Sequence, residues 1–589
     1  MRLSMSKSAN STSLYAIEST YINGKHSSRI VEKLGTVAEL VKKLNGQDPI
    51  EWARAYIAEL NRQEKEGTRV VTIQYRPTER IEIGEQQTFN GGYLFLQSIY
   101  HDLKLNLICA QIADKYKFTF DLNTVLSRLI YSRIIYPASK RATYELSARF
   151  LEQPTFELQH VYRALEIIAK EMDFIQAEVY KNCATVQKRQ TGVLYYDCTN
   201  FFFEIEQECG LKQYGYSKEH RPNSIVQLGL FMDGDGMPLA FCIAKGNSNE
   251  QVTMTPLEQK ILDDFDLSRF IVCTDAGLAS TDNRKFNDKG GRAFITTQPV
   301  KKLKKHIKDW ALSPDGWRLS GSDKVYNITK LDEEKEMEQE KKTGKGNTYY
   351  KEQWINEDTL EQKLIVTFSI KYRDYQRRIR EAQVDRAKKL LQTYPDKINK
   401  KGQNDYRRFV AKVGVTQEGE VADTDVFCIN EELIAQEGVY DGFYAVCTDL
   451  EDGPDAIIDV NHRRWEIEEC FRIMKSEFKA RPVYLSRDDR IKAHFTTCFL
   501  ALLLYRLLEK RLDSQFTACQ IIKGLRDFNF RKAESEGYLP AYTRDEFTDA
   551  LHDKFGFKTD TRIVTLRQMK KIFKLTANHA NITHSHNME

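Results

Sequence analysis

The hydrophobic pattern of the 589-residue chain changes along its length. In the first third, apolar residues recur every three or four positions over residues 94–116, 122–135 and 161–179, which predicts amphipathic helices. From Gly192, continuous apolar runs bounded by turn residues replace that spacing, as is typical of buried strands. The chain is therefore expected to join a helical region to a region built on a β-sheet.

The strand-rich region has a specific order of elements. Three apolar runs come first, at residues 193–199, 225–232 and 237–244, and two further strands, at residues 270–275 and 293–298, alternate with helices. The order β-β-β-α-β-α-β is that of a ribonuclease-H-like sheet, in which antiparallel strands are extended by parallel ones through helical crossovers. The predicted fold is thus α/β: a ribonuclease-H-like catalytic core, a mixed sheet flanked by helices, with a β-rich insertion and a helical N-terminal region.

Changes of pattern predict five regions. They are a small α+β module at 1–85, a helical region at 86–188, a catalytic core at 189–300 and 440–510, an insertion at 301–439, and a helical C-terminal region at 511–589. The helical region carries Lys140, Arg141 and Arg149 and could enter a DNA groove or form a structural bundle; periodicity favours neither. The charged stretch 332–346 is expected to be a loop, and residues 372–391 a basic helix.

Composition constrains the function only weakly. The 88 basic and 84 acidic residues leave a net charge of +4, so nucleic-acid binding would depend on local basic patches. Eleven cysteines without a CxxC pair indicate reduced core residues, and the polar N-terminus does not resemble a signal peptide. The apolar segment 495–508 is short and contains Arg506, which favours a buried helix. A cytoplasmic protein without a membrane partner is expected, nucleoid-associated when it binds DNA.

A charged stripe stands out on the helix predicted over residues 461–479. At about 100° per residue, the side chains of one carboxylate and several polar or cationic residues fall within about 80° of one another, beside an apolar face. The stripe comprises Asn461, Arg464, Glu468, Arg472, Lys475 and Lys479. The simpler interpretation is a solvated helix with an Arg464–Glu468 pair, which is worth only about 0.2 to 0.5 kcal/mol.

Two aspartates elsewhere in the sequence favour a functional interpretation of the charged stripe. Asp197 interrupts one apolar strand and Asp275 ends another. A carboxylate at the edge of a core is costly unless it is paired, hydrogen-bonded or bound to metal. If the strands are neighbours, Glu468 can complete a set of three oxygen ligands, which suits Mg²⁺, or Mn²⁺, rather than zinc. Two such ions in one site serve phosphodiester chemistry, and the nearby cations would then contact phosphate.

These residues resemble the DDE transposases of bacterial insertion sequences, in particular the insertion-sequence-4-like group with the signature Y-x2-R-x3-E-x6-K. Arg464, Glu468 and Lys475 match its R, E and K, and the blocks around Asp197 and Asp275 resemble those that hold the two aspartates. The resemblance covers residues 192–506. It implies that Asp197, Asp275 and Glu468 are the catalytic and metal-binding residues, with two Mg²⁺ ions per active site.

The resemblance also implies where DNA is contacted. Arg464, Lys475 and Arg472 would hold the backbone, joined by Lys218 and Arg221 from a substrate-facing loop. Asn461 occupies the position of the signature tyrosine, so it can donate a hydrogen bond but cannot stack. The family holds a flipped base against an aromatic side chain in or near the insertion. The aromatics that could do so are Trp317, Tyr326 and Trp354.

The function implied is cut-and-paste DNA transposition. Such an enzyme binds the terminal inverted repeats of its own element, cleaves the DNA ends by metal-dependent hydrolysis, and joins the 3′-hydroxyls to target DNA, within a homodimer on double-stranded DNA. Two alternatives stay open: a catalytically silent or repurposed DNA-binding relative, and a ribonuclease-H-like nuclease such as a junction resolvase. The long insertion and the helical N-terminal region would be unexpected in a resolvase.

Overall fold

The computed structural model describes most of the chain: residues 1–8, 11–22, 25–44, 46–66, 70, 72–73, 78, 80–344, 346–393, 405–415, 421–533 and 536–577. Its contacts divide the chain into two compact units. The first comprises Met1–Glu85 with Ala533–Tyr538, and the second comprises Gln86–Lys532 with Leu539–Glu589. The five-region division made from the sequence is finer than these units and stays a prediction.

The first unit is a small α+β unit. Its elements are β1 (Arg2–Ser8), β2 (Ser11–Ile22), β3 (Lys25–Thr36), α1 (Val37–Lys43) and α2 (Pro49–Glu66). The three strands form an antiparallel sheet, and Leu14, Leu40 and Ala53 form the core between sheet and helices. The sequence of this unit predicts a helix near residues 49–65, which is present as α2, and a further strand at residues 69–76, which falls largely outside the described residues.

The helical region of the second unit follows β4 (Thr88–Asn90). Its helices are α3 (Tyr93–Asp102), α4 (Leu105–Lys115), α5 (Leu122–Ile135), α6 (Lys140–Ser147), α7 (Leu158–Lys170) and α8 (Met172–Val186). The stretch predicted as one helix at 94–116 is two, because Lys104 adopts the left-handed conformation between them. The stretch at 161–179 is likewise divided at Glu171.

The next elements along the chain include one that the sequence predicted differently. Strands and helices between residues 193 and 448 are β5 (Val193–Phe202), β6 (Ile225–Asp233), β7 (Pro238–Lys245), α9 (Gln251–Asp264), β8 (Ile271–Thr274), α10 (Thr281–Asn287), β9 (Ala293–Thr297), α11 (Lys305–Leu312), β10 (Trp317–Leu319), β11 (Ser322–Tyr326), α12 (Glu333–Thr343), β12 (Tyr349–Glu357), β13 (Leu360–Phe368), α13 (Ile370–Thr393), β14 (Val410–Val415), β15 (Val421–Ile429), α14 (Glu431–Gly438) and β16 (Phe443–Thr448). The charged stretch expected to be a loop is therefore largely the helix α12, with acidic residues in its first turn and basic residues in its last, as the helix dipole favours.

Ten strands form one mixed sheet, in the order β11-β10-β12-β13-β16-β9-β8-β5-β6-β7. Strands β5, β6 and β7 are antiparallel, whereas β8 and β9 extend the sheet from β5 as parallel neighbours. The helix α10 makes the crossover between β8 and β9 that a parallel pair requires. The predicted order of strands and helices is present, and the α/β class is confirmed.

Most strands of the segment 301–439 join the large sheet and do not form a separate one. Strand β13 pairs with β16, and β16 pairs antiparallel with β9, so the segment's strands β10 to β13 continue the large sheet. A satellite core forms where α13 packs against the antiparallel pair β14 and β15, around Val384, Ala387, Phe409 and Val410. The segment thus extends the sheet and adds one small subdomain.

The last described part of the chain extends to residue 577 and is mainly helical. Its elements are α15 (Pro454–His462), α16 (Trp465–Arg472), a π-helical turn (Ile473–Glu477), α17 (Asp488–Arg511), α18 (Ala518–Asp527), β17 (Asn529–Ala533), β18 (Gly537–Pro540), α19 (Glu546–Phe555), β19 (Val564–Thr565) and α20 (Leu566–Ala577). In the described chain, α17 is the one helix long and apolar enough to cross a membrane, yet 94% of its apolar 18-residue stretch is buried in the protein. Its role as a core helix agrees with the prediction for residues 495–508.

Candidate active site

Asp197 and Asp275 lie side by side on the sheet. Strands β5 and β8 are parallel neighbours in which Tyr195 pairs with Cys273 and Tyr196 with Thr274. The residue after each member of the last pair is an aspartate: Asp197 lies within β5, and Asp275 directly follows the end of β8. Because side chains alternate between faces, Asp197 lies on the face of Tyr195, and Asp275 is close enough that its charge raises the pKa of Asp197. The juxtaposition expected from the sequence is therefore present.

The two faces of β5 have different neighbours. Tyr196 and Cys198 belong to the apolar cluster that packs under α9, together with Leu257 and Ile261. On the opposite face, the Tyr195 hydroxyl donates to the Val460 carbonyl of α15 at 2.8 Å. Asp197 shares the face of Tyr195, so it lies on the side of the sheet that α15 and α16 cover.

Asp197 is a buried carboxylate with little support from hydrogen bonds. It is 9% exposed, and its Oδ1 accepts from the backbone N–H of Cys198 at 2.7 Å. Burial raises its pKa to about 7; Lys218 and Arg464 oppose the rise, and the like charge of Asp275 adds to it. The site therefore contains negative charge that its protein neighbours only partly compensate.

Asp275 is held by the turn that follows β8. Its Oδ1 accepts from the backbone N–H groups of Gly277 at 2.9 Å and Leu278 at 3.1 Å. A carboxylate fixed by two N–H groups has a defined direction without a side-chain partner. Because only one oxygen takes part in these bonds, the other can accept a further ligand.

The helix predicted over residues 461–479 is interrupted twice. Tight i→i+3 bonds separate α15 from α16 around Arg464, and the N–H of Phe478 bonds to the Ile473 carbonyl in a π-helical turn. Positions before and after these breaks do not keep the 100° spacing on which the predicted stripe was based. The apolar face is as expected, since Ile467, Cys470 and Phe471 are buried and fix α16 against the core.

Asn461 is displaced from that stripe. It lies in α15, is 4% exposed, and donates from Nδ2 to the Tyr444 hydroxyl at 2.8 Å. Its Oδ1 accepts from the Cys273 thiol at 3.7 Å. The expectation that Asn461 lies on the charged stripe is wrong, because the break before α16 turns it into the protein; its role as a DNA contact stays a prediction.

Glu468 lies on α16 and is exposed to solvent. Its side chain is 62% exposed and its Oε1 is 3.8 Å from the Arg464 Nη1. Arg464 is close enough to Asp275 and Asp197 that, with Tyr444, they raise its pKa although burial opposes the rise. Arg464 is thus near Glu468 as well as the aspartates.

The three carboxylates do not form a closed ligand set. Within the described ranges, the group of acidic and histidine side chains whose ligand atoms all lie within 4.8 Å is Asp549, His552 and Asp560, elsewhere in the second unit. The Glu468 side chain is 62% exposed, whereas Asp197 and Asp275 are each held by hydrogen bonds from backbone N–H groups. Their role as metal ligands stays a prediction, and a common ion would require the three carboxylates to come closer together.

Two lysines border Asp197. The Lys475 Nζ donates to Thr199 Oγ1 at 2.6 Å, and burial lowers the pKa of Lys475 to about 8. The Lys218 Nζ donates to the Cys198 carbonyl at 2.5 Å and lies 3.2 Å from Glu250. Burial lowers the pKa of Lys218 less than Asp197 and Glu250 raise it. Both predicted cations are brought to the site.

Arg472 and Arg221 are engaged in other contacts. Arg472 forms a two-pronged ion pair with Glu469, at 2.7 and 2.5 Å, and lies 3.5 Å from Glu477. Arg221 lies 3.5 Å from Glu219, with its guanidinium 4.2 Å from the centre of the Phe202 ring. Their predicted role as DNA contacts would require exchange of these acidic partners for phosphate.

Sequence reasoning missed Tyr444. Its hydroxyl bonds with Thr297 at 2.7 Å and with Asn461, and Thr297 follows the residue that pairs with Thr274 beside Asp275. It therefore places a phenol beside Arg464 from a strand far from the charged helix in sequence. The only signal was a tyrosine in the short strand now seen as β16, and nothing in the sequence related that strand to Asp275.

The aromatics considered for base stacking differ in accessibility. Trp317 is fully buried, and its indole N–H donates to the Ser313 carbonyl. Tyr326 packs at its edge against Tyr349, with ring centres 5.2 Å apart. Trp354, in contrast, is 47% exposed on β12. Of the three, only Trp354 presents a large part of its ring to solvent.

One family of known proteins matches this chain. Residues 199–504, just over half of the chain, match the family model described as transposase DDE domain. The chain belongs to this family. The matched range includes Asp275 and Glu468 and begins two residues after Asp197. Membership of the transposase DDE domain family implies an enzyme that cleaves and joins DNA, and such transposases generally use divalent metal ions.

Other comparisons add little. A search of curated proteins finds no match for this DDE-domain chain. Among solved structures, one similar chain is that of the piggyBac transposase in a cryo-EM structure of its synaptic complex with hairpin DNA. It is 8% identical with a TM-score of 0.35, and 86% of this chain and 91% of that chain are covered. The family assignment therefore depends on the matched DDE domain and not on this similarity.

Proposed function

We propose that this transposase belongs to the insertion-sequence-4-like group and carries out cut-and-paste transposition of its own element. It would bind the terminal inverted repeats, cleave the DNA ends, and join the 3′-hydroxyls to target DNA. The observation that carries the proposal is the proximity of Asp197 on β5 to Asp275, directly after the parallel neighbour β8, with Glu468 on the helix that covers the same face. Three carboxylates so arranged serve phosphodiester chemistry.

A ribonuclease-H-like core is the fold proposed for residues 189–300 and 440–510. Its support is the antiparallel set β5–β6–β7 extended by the parallel strands β8 and β9, with the covering helices after β16. In this proposal the segment 301–439 is an insertion between β9 and the helix that bears Glu468. Its strands β10 to β13 lengthen the core sheet and so attach the insertion to the core.

The proposed cofactor is Mg²⁺, with Mn²⁺ as the alternative and two ions per site. The donors fit this choice, because Asp197, Asp275 and Glu468 offer hard oxygen ligands without a cysteine or histidine among them. A bound cation would also stabilise the ionised form of Asp197, whose pKa is raised by burial and by the charge of Asp275. When bound, the ions would activate a water or a 3′-hydroxyl and stabilise the leaving oxygen.

The chain's own residues would position the DNA. Lys475 and Lys218, both next to Asp197, would contact the phosphates on either side of the scissile bond, and Arg464 would neutralise charge between Glu468 and the aspartates. With a pKa of about 8, Lys475 is mostly protonated at neutral pH. The reorientation of Glu468 would complete the site only when DNA and metal are present.

Other parts of the proposal concern partners. The DNA partners are double-stranded element ends and target DNA, held by a homodimer, and the protein would act in the cytoplasm at the nucleoid. If a base is flipped during the reaction, Trp354 is the stacking residue we propose, because its ring is exposed. Base–aromatic stacking is worth about 1 to 3 kcal/mol, enough to offset most of the cost of unstacking.

The test is Mg²⁺-dependent nicking of a duplex that carries the DNA flanking this gene. Asp197→Asn and Glu468→Gln should each abolish nicking while they preserve DNA binding. The matched control is Asp459→Asn, an exposed aspartate on the neighbouring α15 that should leave nicking unchanged. Unchanged cleavage by either active-site variant would falsify the assignment.

One alternative has an observation in its favour. The three carboxylates are not closed around a common point, as would hold for a catalytically silent DNA-binding relative. Such a protein would bind the flanking repeats with the same affinity with or without Mg²⁺ and would not nick them with Mg²⁺ or Mn²⁺. A ribonuclease-H-like nuclease would instead cut DNA without preference for these repeats.

A further inference from the structure

A basic cavity lies apart from the carboxylates, in the second unit. It has a volume of about 260 Å³ and lies between the turn from α5 to α6 and the chain that joins the π-helical turn to α17. Its charged or titratable lining residues are Arg133, Lys140, Arg141, Lys479, Arg481 and His494, and its lining contains no carboxylate. Five cations around one small space, without an acid among them, favour an anion as its occupant.

Lys140 is the most informative of these residues. It is 5% exposed, and its Nζ has no hydrogen-bond partner. An ammonium group that is buried without a partner is costly, and burial, followed by the like charge of Arg133, lowers its pKa to about 7. Proteins rarely keep such a group unless a ligand compensates it.

Arg133 adds a second buried cation. It is 5% exposed, and its guanidinium donates to the carbonyl oxygens of Phe478 at 3.1 Å and Ala138 at 3.3 Å, while its Nε has no partner. These carbonyls orient Arg133 without neutralising it. Over the described residues, neither Arg133 nor Lys140 forms an ion pair with a carboxylate, so both charges are left for a ligand.

The other groups of the cavity do not supply the missing negative charge. His494 is neutral, because burial and the two cations hold its pKa well below the ordinary value, and its Nε2–H donates to the Ala480 carbonyl at 3.1 Å. Arg141 and Arg481 are already paired, with Glu145 and Glu219. Lys140 is also the first residue of α6, whose N-terminal N–H groups add positive potential at the cavity.

The cavity lies within reach of a duplex bound at the active site. Val483 lines it and forms a bridge with Phe203, six positions after Asp197 in the chain (203 − 197). At about 3.3 Å per residue, an extended strand covers about 20 Å over that distance. That is less than the helical repeat of DNA, about 34 Å, so one turn of duplex can place phosphates near both points.

We propose that this cavity binds a backbone phosphate of the DNA substrate, with Lys140 and Arg133 as its principal contacts. The DNA part of this inference rests on the proposed function; the selectivity of the cavity for phosphate does not. A phosphate would give Lys140 the partner that it lacks and keep it protonated. It would also anchor the duplex about 20 Å from the reacting carboxylates.

The first experiment measures thermal unfolding of the full chain in inorganic phosphate and in chloride of equal ionic strength. Phosphate should raise the melting temperature of the unmodified protein. Lys140→Met should melt higher than the unmodified protein in chloride, because an unpaired buried charge is removed, and should lose the response to phosphate. Lys523→Met, at an exposed position on α18 outside the cavity, is the matched control and should respond like the unmodified protein.

The second experiment measures the affinity for a linear duplex of arbitrary sequence as salt is varied. Loss of one phosphate contact should lower the slope of log Kd against log salt by about 0.9 in Lys140→Met and leave it unchanged in Lys523→Met. If Lys140→Met does not fold, Lys479→Met, at an exposed lysine of the cavity wall, should weaken both responses in the same direction.

The outcomes separate the two ideas. A phosphate response that survives in Lys140→Met overturns the site. A lost phosphate response with an unchanged salt slope overturns the DNA assignment and identifies a site for a free phosphate compound. Since Asp197→Asn should bind DNA with the unmodified salt slope, failure of the nicking test leaves this measurement independent of the proposed catalytic function.

Discussion

Replacement of Asp197 by Asn should stabilise the metal-free protein above about pH 7, although it should abolish cleavage. The Asp197 carboxyl is buried beside Asp275, and its pKa is raised from 3.8 to about 7. Between these values the folded state holds a proton that the unfolded chain has lost, so the free energy of unfolding falls as the pH rises through this window. The free-energy cost of ionising Asp197 in the folded state is absent below about pH 4, and it reaches its full size above about pH 7.

The magnitude follows from the same values. One pKa unit corresponds to roughly 1.4 kcal/mol, so ionisation of Asp197 costs at most roughly 4 kcal/mol at high pH. Asn has the same shape, keeps an oxygen for the N–H of Cys198, and carries no charge. The variant should therefore avoid most of this cost, as active-site residues often sacrifice stability for function.

Urea denaturation in the presence of EDTA, followed by circular dichroism at about pH 5 and about pH 8, measures the effect. The midpoint of Asp197→Asn should exceed that of the unmodified protein clearly at the higher pH and much less at the lower one. Asp459→Asn, exposed on α15, should match the unmodified protein at both. A difference between Asp197→Asn and the unmodified protein that is independent of pH, or a variant that is less stable than the unmodified protein at about pH 8, would contradict a cost of ionising Asp197 in the folded state.

Three further changes test packing and local bonds, each by thermal or urea unfolding. Gly92→Ala should destabilise by about 1 to 3 kcal/mol or more, because the added Cβ would lie 2.1 Å from the Leu525 carbonyl oxygen, which is backbone and cannot turn away; an unchanged midpoint would contradict this. Trp317→Ala should cost about 3 to 5 kcal/mol, since the side chain is fully buried, whereas Trp354→Ala, at a half-exposed site, should change stability by less than about 1 kcal/mol; equal losses would show that the burial assignment is wrong. Tyr444→Phe should cost about 1 to 3 kcal/mol by removing the hydroxyl that bonds with Thr297 and Asn461, and a loss no larger than that of an exposed Tyr→Phe change would argue against these bonds.

Local sequence was sufficient for much of the sheet. The runs that became β5, β6 and β8 are nearly continuous in apolar residues because both faces of those strands are buried, a pattern that can be recognised without knowledge of the fold. Asp197 and Asp275 were identifiable for the same reason, since a charge in such a run is costly. That these two strands are neighbours was only assumed from the sequence, and the parallel pairing of β5 with β8 confirms it.

The charged helix was predicted less well. The predicted stripe of side chains depended on one regular helix. Two local departures from i→i+4 bonding, around Arg464 and after Arg472, changed which side chains point in the same direction. The stretch 332–346 was expected to be a loop because of its low complexity, yet opposite charges at its two ends suit a helix. Such departures depend on the surroundings and leave no clear mark on periodicity.

The amino-acid sequence by itself determined the chemistry of this transposase: which strands are buried, which carboxylates interrupt them, and which cations follow one another near Glu468. Only the tertiary structure decided how these groups meet. It placed Asp197 beside Asp275, turned Asn461 inward against Tyr444, left Glu468 in solvent, and enclosed Lys140 and Arg133 in one cavity. The physical reason is that burial and periodicity act over a few residues, whereas strand register, helix breaks and cavities depend on contacts between segments distant in the chain.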